Sequence, residues 1–233
     1  LVLVARPHGE TAAVVQLLTR ERGRHAGLVQ GGQGQRWRPV LQPGNAVRAH
    51  WQARLADHLG TYKLEPVASH AARFLDEPER LTCLAAAASI CDEALPEREP
   101  HPACHAGLLA LIEALDGAHW GEVYVQWEAM FLRELGFGLD LSACAGGGRN
   151  DDLAYVSPKS GRAVSAAAGE PYRERLLPLP GFLVGRGGGG PVEVAQGLRL
   201  TGHFLEKNVF DPRERPLPRA RQRLAGYFPL PGL

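Results

Sequence analysis

The first 70 residues of the chain show the short apolar runs and two-residue alternation that are typical of β-strands. Five runs bounded by glycine or polar residues predict strands: residues 2–6, 11–19, 24–30, 45–55 and 61–68. The fourth run alternates most clearly: Val47, Ala49, Trp51, Ala53 and Leu55 interleave with Arg48, His50, Gln52 and Arg54. One face of this strand is therefore apolar and the other is basic. Five short strands with little helix predict a small, partly open barrel of the oligonucleotide-binding (OB) type.

Helical spacing replaces this alternation from residue 71. Apolar residues three and four positions apart predict three helices near 81–95, 102–115 and 121–135, and the last ends at Gly136. In the third helix, we expect Glu122, Glu128 and Glu134 to lie off the apolar stripe. A fourth helix is predicted over residues 192–209, and Pro218 begins a fifth, anchored by Leu224. We expect these helices to form a bundle beside the barrel.

Residues 139–183 have the layout of a zinc ribbon but lack most of its ligands. A strand-like run at 153–157 and a turn at 158–161 follow Cys144 and the glycines at 146–148. Such a ribbon needs four thiolates from two CxxC turns. Only Cys144 remains, because Gly147, Ser165 and Ala168 occupy the other three positions. We therefore predict no bound metal: purified protein should hold well under one zinc per chain and keep its fold in chelator.

Several segments, in order along the chain, are similar to one protein family. They are RPHGETAAVVQLLTRERGRHAGLVQGG near the start, ELGFGLDLSACA, DDLAYVSPKSGRAVS and the late RLTGHFLEKNV. Together they resemble the RecO family of DNA repair proteins, in the branch whose zinc ribbon is degenerate. The resemblance implies an α+β fold. It also implies four segments: an OB-fold nucleic-acid-binding domain at 1–70, a helical domain at 71–138 and 184–233, and the ribbon-like insertion at 139–183.

The same resemblance implies a recombination mediator. Such proteins bind single- and double-stranded DNA and anneal complementary strands. With RecR, they help to load the recombinase RecA onto DNA coated by the single-stranded DNA-binding protein (SSB), whose acidic C-terminal tail they contact. The alternative is an OB-fold and helical protein-interaction module that does not bind DNA directly.

Charge is distributed unevenly along the sequence. Residues 1–70 carry nine Lys and Arg against four Asp and Glu, residues 71–140 carry four against thirteen, and residues 141–233 carry thirteen against eight. Two basic segments therefore flank an acidic one, which favours polyanion binding at the ends. Solvated faces without a partner would give the same pattern.

Candidate DNA-binding residues come from the basic N-terminal segment: Arg20, Arg22, Arg24, Arg36, Trp37, Arg38, Arg48, Arg54 and Lys63. Single strands are held by cationic grooves with aromatic stacking platforms, and Trp37 stands between two arginines. Trp37 therefore either stacks on a base or caps the end of the barrel. Arg20, Arg22 and Arg24 lie near one turn, and we expect them to share one rim of the barrel.

The sequence contains no pattern that indicates an enzyme. It has no GxSxG, HExxH or Walker motif, and Pro191 follows the glycine run at 187–190 where a phosphate loop has Lys. His203 and Glu206 share a helix face, but no third metal ligand suggests itself. We predict neither catalysis nor a cofactor.

The remaining composition fits an intracellular protein. Four cysteines without regular spacing predict reduced thiols rather than a disulfide framework. No apolar run of 18 residues and no charged-then-apolar leader is visible, so we expect neither a membrane span nor a signal peptide. We expect a cytoplasmic, nucleoid-associated protein with no membrane partner.

Overall fold

A computed structural model describes residues 1–55 and 58–230. Their contacts form two compact units: Leu1–Ile112 with Pro218–Leu224, and Glu113–Leu217 with the segment that begins at Ala225. The four-segment division predicted from the sequence is drawn differently and stays a prediction.

The first unit begins with a curved five-stranded sheet. Its strands are β1 (Val2–His8), β2 (Ala12–Thr19), β3 (Gly23–Val29), β4 (Ala46–Gln52) and β5 (Thr61–Ala68). The spatial order is β1-β2-β3-β5-β4, with β3 and β5 parallel and the other pairs antiparallel. Backbone bonds join Val2 to Gly44 and Asn45, just before β4, and bring the two edges together. This is the predicted partly open OB barrel, and all five predicted strands are confirmed.

Alternate residues of each strand fill the interior of the barrel. Its core contains Val15 and Leu17 of β2, Val29 of β3 and Tyr62 and Leu64 of β5. On β4, Val47, Ala49 and Trp51 pack against this core while Arg48, His50 and Gln52 are exposed. The alternation seen in the sequence therefore places the basic side chains of β4 outside.

Two helices follow the barrel in the same unit: α1 (Pro78–Ala94) and α2 (Pro102–Ala114), with a short 3₁₀ turn at His70–Phe74 before them. Helix α1 packs against β1 and β2. Leu17 of β2 points into the barrel, and the next residue, Leu18, points outward. Leu18 is nevertheless fully buried. Helix α1 thus covers part of the outer side of β1 and β2.

The second unit contains the remaining long helices, α3 (Trp120–Glu134) and α5 (Pro191–Leu205), which pack together. A π-helical turn, Glu206–Phe210, extends α5, and the five positions predicted to face inward are all buried: Val194, Leu198, Thr201, Leu205 and Val209. The last helix, α6 (Arg219–Gly226), belongs to the first unit as far as Leu224; it buries Arg221 and Leu224 and exposes Arg219 and Arg223. No helix in the described ranges has the length and apolar character needed to span a membrane.

The expectation that three glutamates lie off the apolar stripe of α3 holds for the exposed Glu134 and is wrong for the other two. Glu128 is fully buried, and Glu122 is also buried at 9% exposure. The Thr201 hydroxyl donates to Glu128 Oε2 at 2.5 Å, so the buried carboxylate has a hydrogen-bond donor from α5. Glu122 Oε1 accepts from the backbone N–H of Gly190 at the start of α5.

The ribbon-like segment also lies in the second unit. It is a three-stranded sheet in the order β7-β6-β8, made of β6 (Leu153–Val156), β7 (Ala163–Ser165) and β8 (Leu177–Pro178). A single helical turn, α4 (Ala166–Gly169), follows β7. Leu153, Val164, Leu177 and Leu179 are buried and form the small apolar core of this segment.

Candidate nucleic-acid interface

The outward positions of β4 and β5 form an exposed, largely basic surface, which we call the open face. It consists of Arg48, His50, Gln52, Lys63 and Glu65. The strand register sets Arg48 opposite Glu65 and His50 opposite Lys63. Arg48 Nη1 lies 3.2 Å from Glu65 Oε2, but both side chains are about 70% exposed, at 71% and 68%. An ion pair of this kind is weak, so phosphate can compete for the guanidinium.

The outward positions of β1–β3, which we call the covered face, hold basic residues in a different way. Arg6 Nη2 lies 2.6 Å from Asp92 Oδ2, and Arg24 Nη1 lies 3.6 Å from Asp92 Oδ1. Arg24 Nε also donates to the Leu95 carbonyl at 2.8 Å, and its side chain is only 18% exposed. Arg24 therefore fastens the barrel to α1, in contrast to the rim position expected for it.

The connection between β3 and β4, residues 30–45, contains three of the predicted residues. Trp37 is half-buried and packs against the barrel core, and the Arg36 guanidinium lies 5.5 Å from the centre of its ring. This packing agrees with the cap alternative, and stacking of Trp37 on a base stays a prediction. Arg38 is exposed and lines a cleft of about 250 Å³ beside β1.

The other predicted residues lie in turns of the same unit. Arg20 and Arg22 are exposed in the turn between β2 and β3, and Arg54 is exposed after the end of β4. The nine predicted residues thus fall into four groups: this turn, the connection with Arg36–Arg38, the open face continuing to Arg54, and the partly buried Arg24 beside α1.

Sequence reasoning did not find a polar cluster inside the barrel. His25 Nδ1 lies 2.8 Å from the Tyr62 hydroxyl, Trp51 meets the His25 ring edge-on at 5.0 Å, and Arg98 lies over Trp51 at 5.5 Å. Burial lowers the pKa of His25, with nearby Arg98 adding to the effect, and burial raises the pKa of Tyr62. No sequence signal marks this cluster, because its members come from three strands and a later loop.

Cys144 lies in a glycine-rich turn, and its sulfur contacts backbone amides and the Ser165 hydroxyl. Cys144 Sγ lies 3.4 Å from Ser165 Oγ and 3.2 Å from the Ser165 backbone nitrogen. The Ser165 hydroxyl, then its backbone N–H and those of Gly146 and Gly148, lower the pKa of the Cys144 thiol to about 7. A Cβ on Gly148 would meet Ser165 Oγ, whereas one on Gly147 would meet open space. The position that points toward Cys144 is therefore 148, in contrast to the 147 predicted from CxxC spacing.

These residues do not fit a structural zinc. Among the described residues, no group of three or more His, Cys, Asp or Glu side chains is arranged to hold a metal ion. One thiol and one hydroxyl leave a tetrahedral site short of donors. His203 of α5 is also engaged elsewhere, since its Nε2 lies 3.1 Å from the Pro158 carbonyl.

The glycine run at 187–190 serves as the entry to α5. Gly189 N–H donates to Glu193 and Gly190 N–H donates to Glu122, so two carboxylates already occupy the start of this helix. Four consecutive glycines with positive φ allow the chain to present these amides. The arrangement is thus a helix cap and not a phosphate loop.

Taken together, an OB barrel with an exposed basic face, followed by a helical domain that carries a degenerate ribbon, defines the class of this protein. Comparison with known families agrees along the chain. The family model described as Recombination protein O N terminal matches residues 1–70, and the one described as Recombination protein O C terminal matches residues 75–216. The chain belongs to the RecO family.

Curated relatives match over nearly the whole chain. The DNA repair protein RecO of Rhodospirillum centenum is 59% identical over 98% of this chain and 92% of its own length. That of Phenylobacterium zucineum is 53% identical over 94% of this chain and 91% of its own length. That of Rhodospirillum rubrum is 48% identical over 96% of this chain and 92% of its own length.

Proposed function

We propose that this protein is a DNA repair and recombination mediator. It binds single- and double-stranded DNA, anneals complementary strands and, together with RecR, helps to load RecA onto DNA coated by SSB. Family membership supports the general role, and the exposed cations of the barrel support the mode of binding. Annealing requires no active site, because neutralising phosphates on two strands lowers their repulsion and raises their local concentration.

One observation carries the DNA-binding part of the proposal. The predicted cations of the barrel, apart from Arg24, are exposed, and the open face contains Arg48 and Lys63 on adjacent strands. The neighbouring Glu65 is also exposed, so it stays solvated when Arg48 turns to a phosphate. The open face is thus suited to follow a phosphate backbone.

Salt dependence tests this proposal and separates it from the protein-interaction alternative. If about six phosphates of a single strand are neutralised, log K should fall with log[salt] with a slope near −4. The measurement is fluorescence anisotropy of a labelled oligonucleotide between about 50 and 300 mM salt. A flat dependence, or no binding at low salt, would favour a module that binds only proteins.

We further propose a docking place for the acidic SSB tail in the second unit. A cleft of about 250 Å³ there has the apolar side chains of Met130, Leu139, Leu141 and Leu183 along its walls. Arg133 lies at its edge and is 71% exposed. An apolar cleft with one guanidinium suits a short peptide that has an apolar residue among its carboxylates.

This docking place is tested with a synthetic peptide of the SSB tail. Arg133→Glu should weaken peptide binding by about tenfold, since it removes a charge-assisted contact and adds repulsion. Arg199→Glu, at an exposed arginine of α5 that does not line this cleft, is the matched control. Equal losses in both variants would show that net charge, rather than this cleft, governs binding.

A further inference from the structure

The mouth of the barrel contains a cleft that the open face does not account for. Its walls are Ala5 and Pro7 of β1, Ala13 of β2 and Leu41 of the connection to β4. Gln33, Arg38 and Gln42 supply its polar atoms. The volume, about 250 Å³, is below the roughly 300–1,000 Å³ of a site for a drug-sized ligand, so the cleft suits one small ring system.

We propose that this cleft holds a single unstacked base of a DNA strand. The inference rests on the proposed DNA-binding function and specifies how the barrel distinguishes a single strand from a duplex. Apolar walls favour the flat faces of a base. Gln42 Nε2 donates to the Arg38 carbonyl at 2.8 Å, which leaves Gln42 Oε1 to accept from a base edge. Arg38 at the cleft and Arg36 two residues earlier are exposed cations positioned for the flanking phosphates. A base within a duplex is stacked and paired, and does not enter.

The cleft is pre-formed, which lowers the cost of binding. Gln33 Nε2 donates to the carbonyls of Gly9 and Ala12, at 3.0 and 2.9 Å, and holds the β1–β2 turn against the connection. Asn45 Nδ2 donates to the carbonyls of Pro39 and Val40, at 2.7 and 3.2 Å. Both walls of the cleft are therefore fixed by side-chain hydrogen bonds before any ligand arrives.

Two oligonucleotides of equal length and charge test the proposal. One is an ordinary single strand, and the other has abasic sugars at every position, so that no base is available to the cleft. The full chain should bind the ordinary strand about five- to tenfold more tightly, which is in the range of one base contact. Ala5→Leu fills the cleft and should abolish this preference while affinity for the abasic strand and for a blunt duplex stays the same.

Control variants keep the outcome interpretable. Ala68→Leu adds the same volume at a half-buried position of β5 outside the cleft and should keep the preference. Gln42→Ala changes an exposed residue, so it tests the cleft even if Ala5→Leu fails to fold; the preference should fall at least twofold.

Three results would contradict either base binding in the cleft or the proposed DNA-binding function on which it rests. If the parent protein binds both strands equally, or if the filled and parent proteins show the same preference, no base enters and only this inference fails. If filling the cleft weakens binding of a partner protein and leaves the base preference, the cleft is a protein-docking site. If the parent binds no DNA at low salt, the proposed function itself fails.

Discussion

The covered and open faces of the barrel contain similar basic residues and use them in opposite ways. On the covered face, Arg6 and Arg24 converge on Asp92 of α1, whose side chain is only 5% exposed, although the Arg6 side chain itself is 54% exposed. On the open face, the side chains of Arg48 and Lys63 are exposed to solvent. OB barrels commonly bind oligonucleotides on the face of strands 2 and 3. Here helix α1 packs on β1 and β2, so the proposed DNA path lies on β4 and β5 and at the barrel mouth.

The largest effect should come from removing the carboxylate of the covered face. Asp92→Ala leaves the poorly exposed Arg24 guanidinium without its ion pair, and we expect a loss of about 3 kcal/mol in the free energy of unfolding. The matched change on the open face, Glu65→Ala, should cost less than about 1 kcal/mol, because its partner is solvated. Urea denaturation measures both. Similar losses in the two variants would mean that the faces do not differ as described.

The next effect concerns DNA and the exposed arginines. Changing Arg36, Arg38, Arg48 and Arg54 together to Gln should make the log K against log[salt] slope less negative by about 3 and lower affinity at 0.1 M salt by roughly a hundredfold. Arg6→Gln, at the covered face, should leave the slope unchanged. Anisotropy titrations of a labelled single strand give both values. An unchanged slope in the quadruple variant would contradict the proposed path.

A smaller effect is expected from one open-face cation. Lys63→Gln removes a single charge from the middle of β5 and should change the slope by about 0.7, the contribution of one phosphate on a single strand. Thr61→Ala, at an outward position of the same strand, is the uncharged control. If Lys63→Gln has no effect on the slope, the DNA path crosses β4 without reaching β5.

The smallest expected effect is a pH dependence of stability that arises from His25 in the barrel interior. The pKa of His25 is lowered in the folded protein, so protonation favours the unfolded chain. Stability should therefore fall as pH drops below the ordinary His value of about 6.5, and His25→Gln should make this decline shallower. His105, whose pKa burial also lowers, would account for part of the remainder. Thermal unfolding between pH 7.5 and 5.5 tests this, and an unchanged decline would exclude His25.

The sequence predicted those features that depend on near neighbours. Alternation over Val47–Trp51 correctly predicted which side of β4 faces the core, and helical spacing correctly predicted the buried stripe of α5. Each pattern depends only on how the side chains of one element face the core. The sequence did not predict features that depend on residues far apart in the chain. Arg24 meets Asp92 and Glu128 meets Thr201 only after folding, and no local pattern marks either pair. In the turn around Cys144, spacing alone could not tell that Gly148 points inward where Gly147 does not.

Asn45 joins parts of the molecule that have different tasks. Its amide nitrogen bonds the connection that carries Arg36–Arg38, its Oδ1 accepts from the backbone N–H of Ala71 where the helical region begins, and its own carbonyl accepts from Val2. Asp in its place would lack the donor, and Gln would set the amide one methylene too far. A single carboxamide thus links the connection proposed to contact DNA with the start of the helical region. A substitution of Asn45 would therefore disturb both the connection that carries Arg36–Arg38 and the start of the helical region.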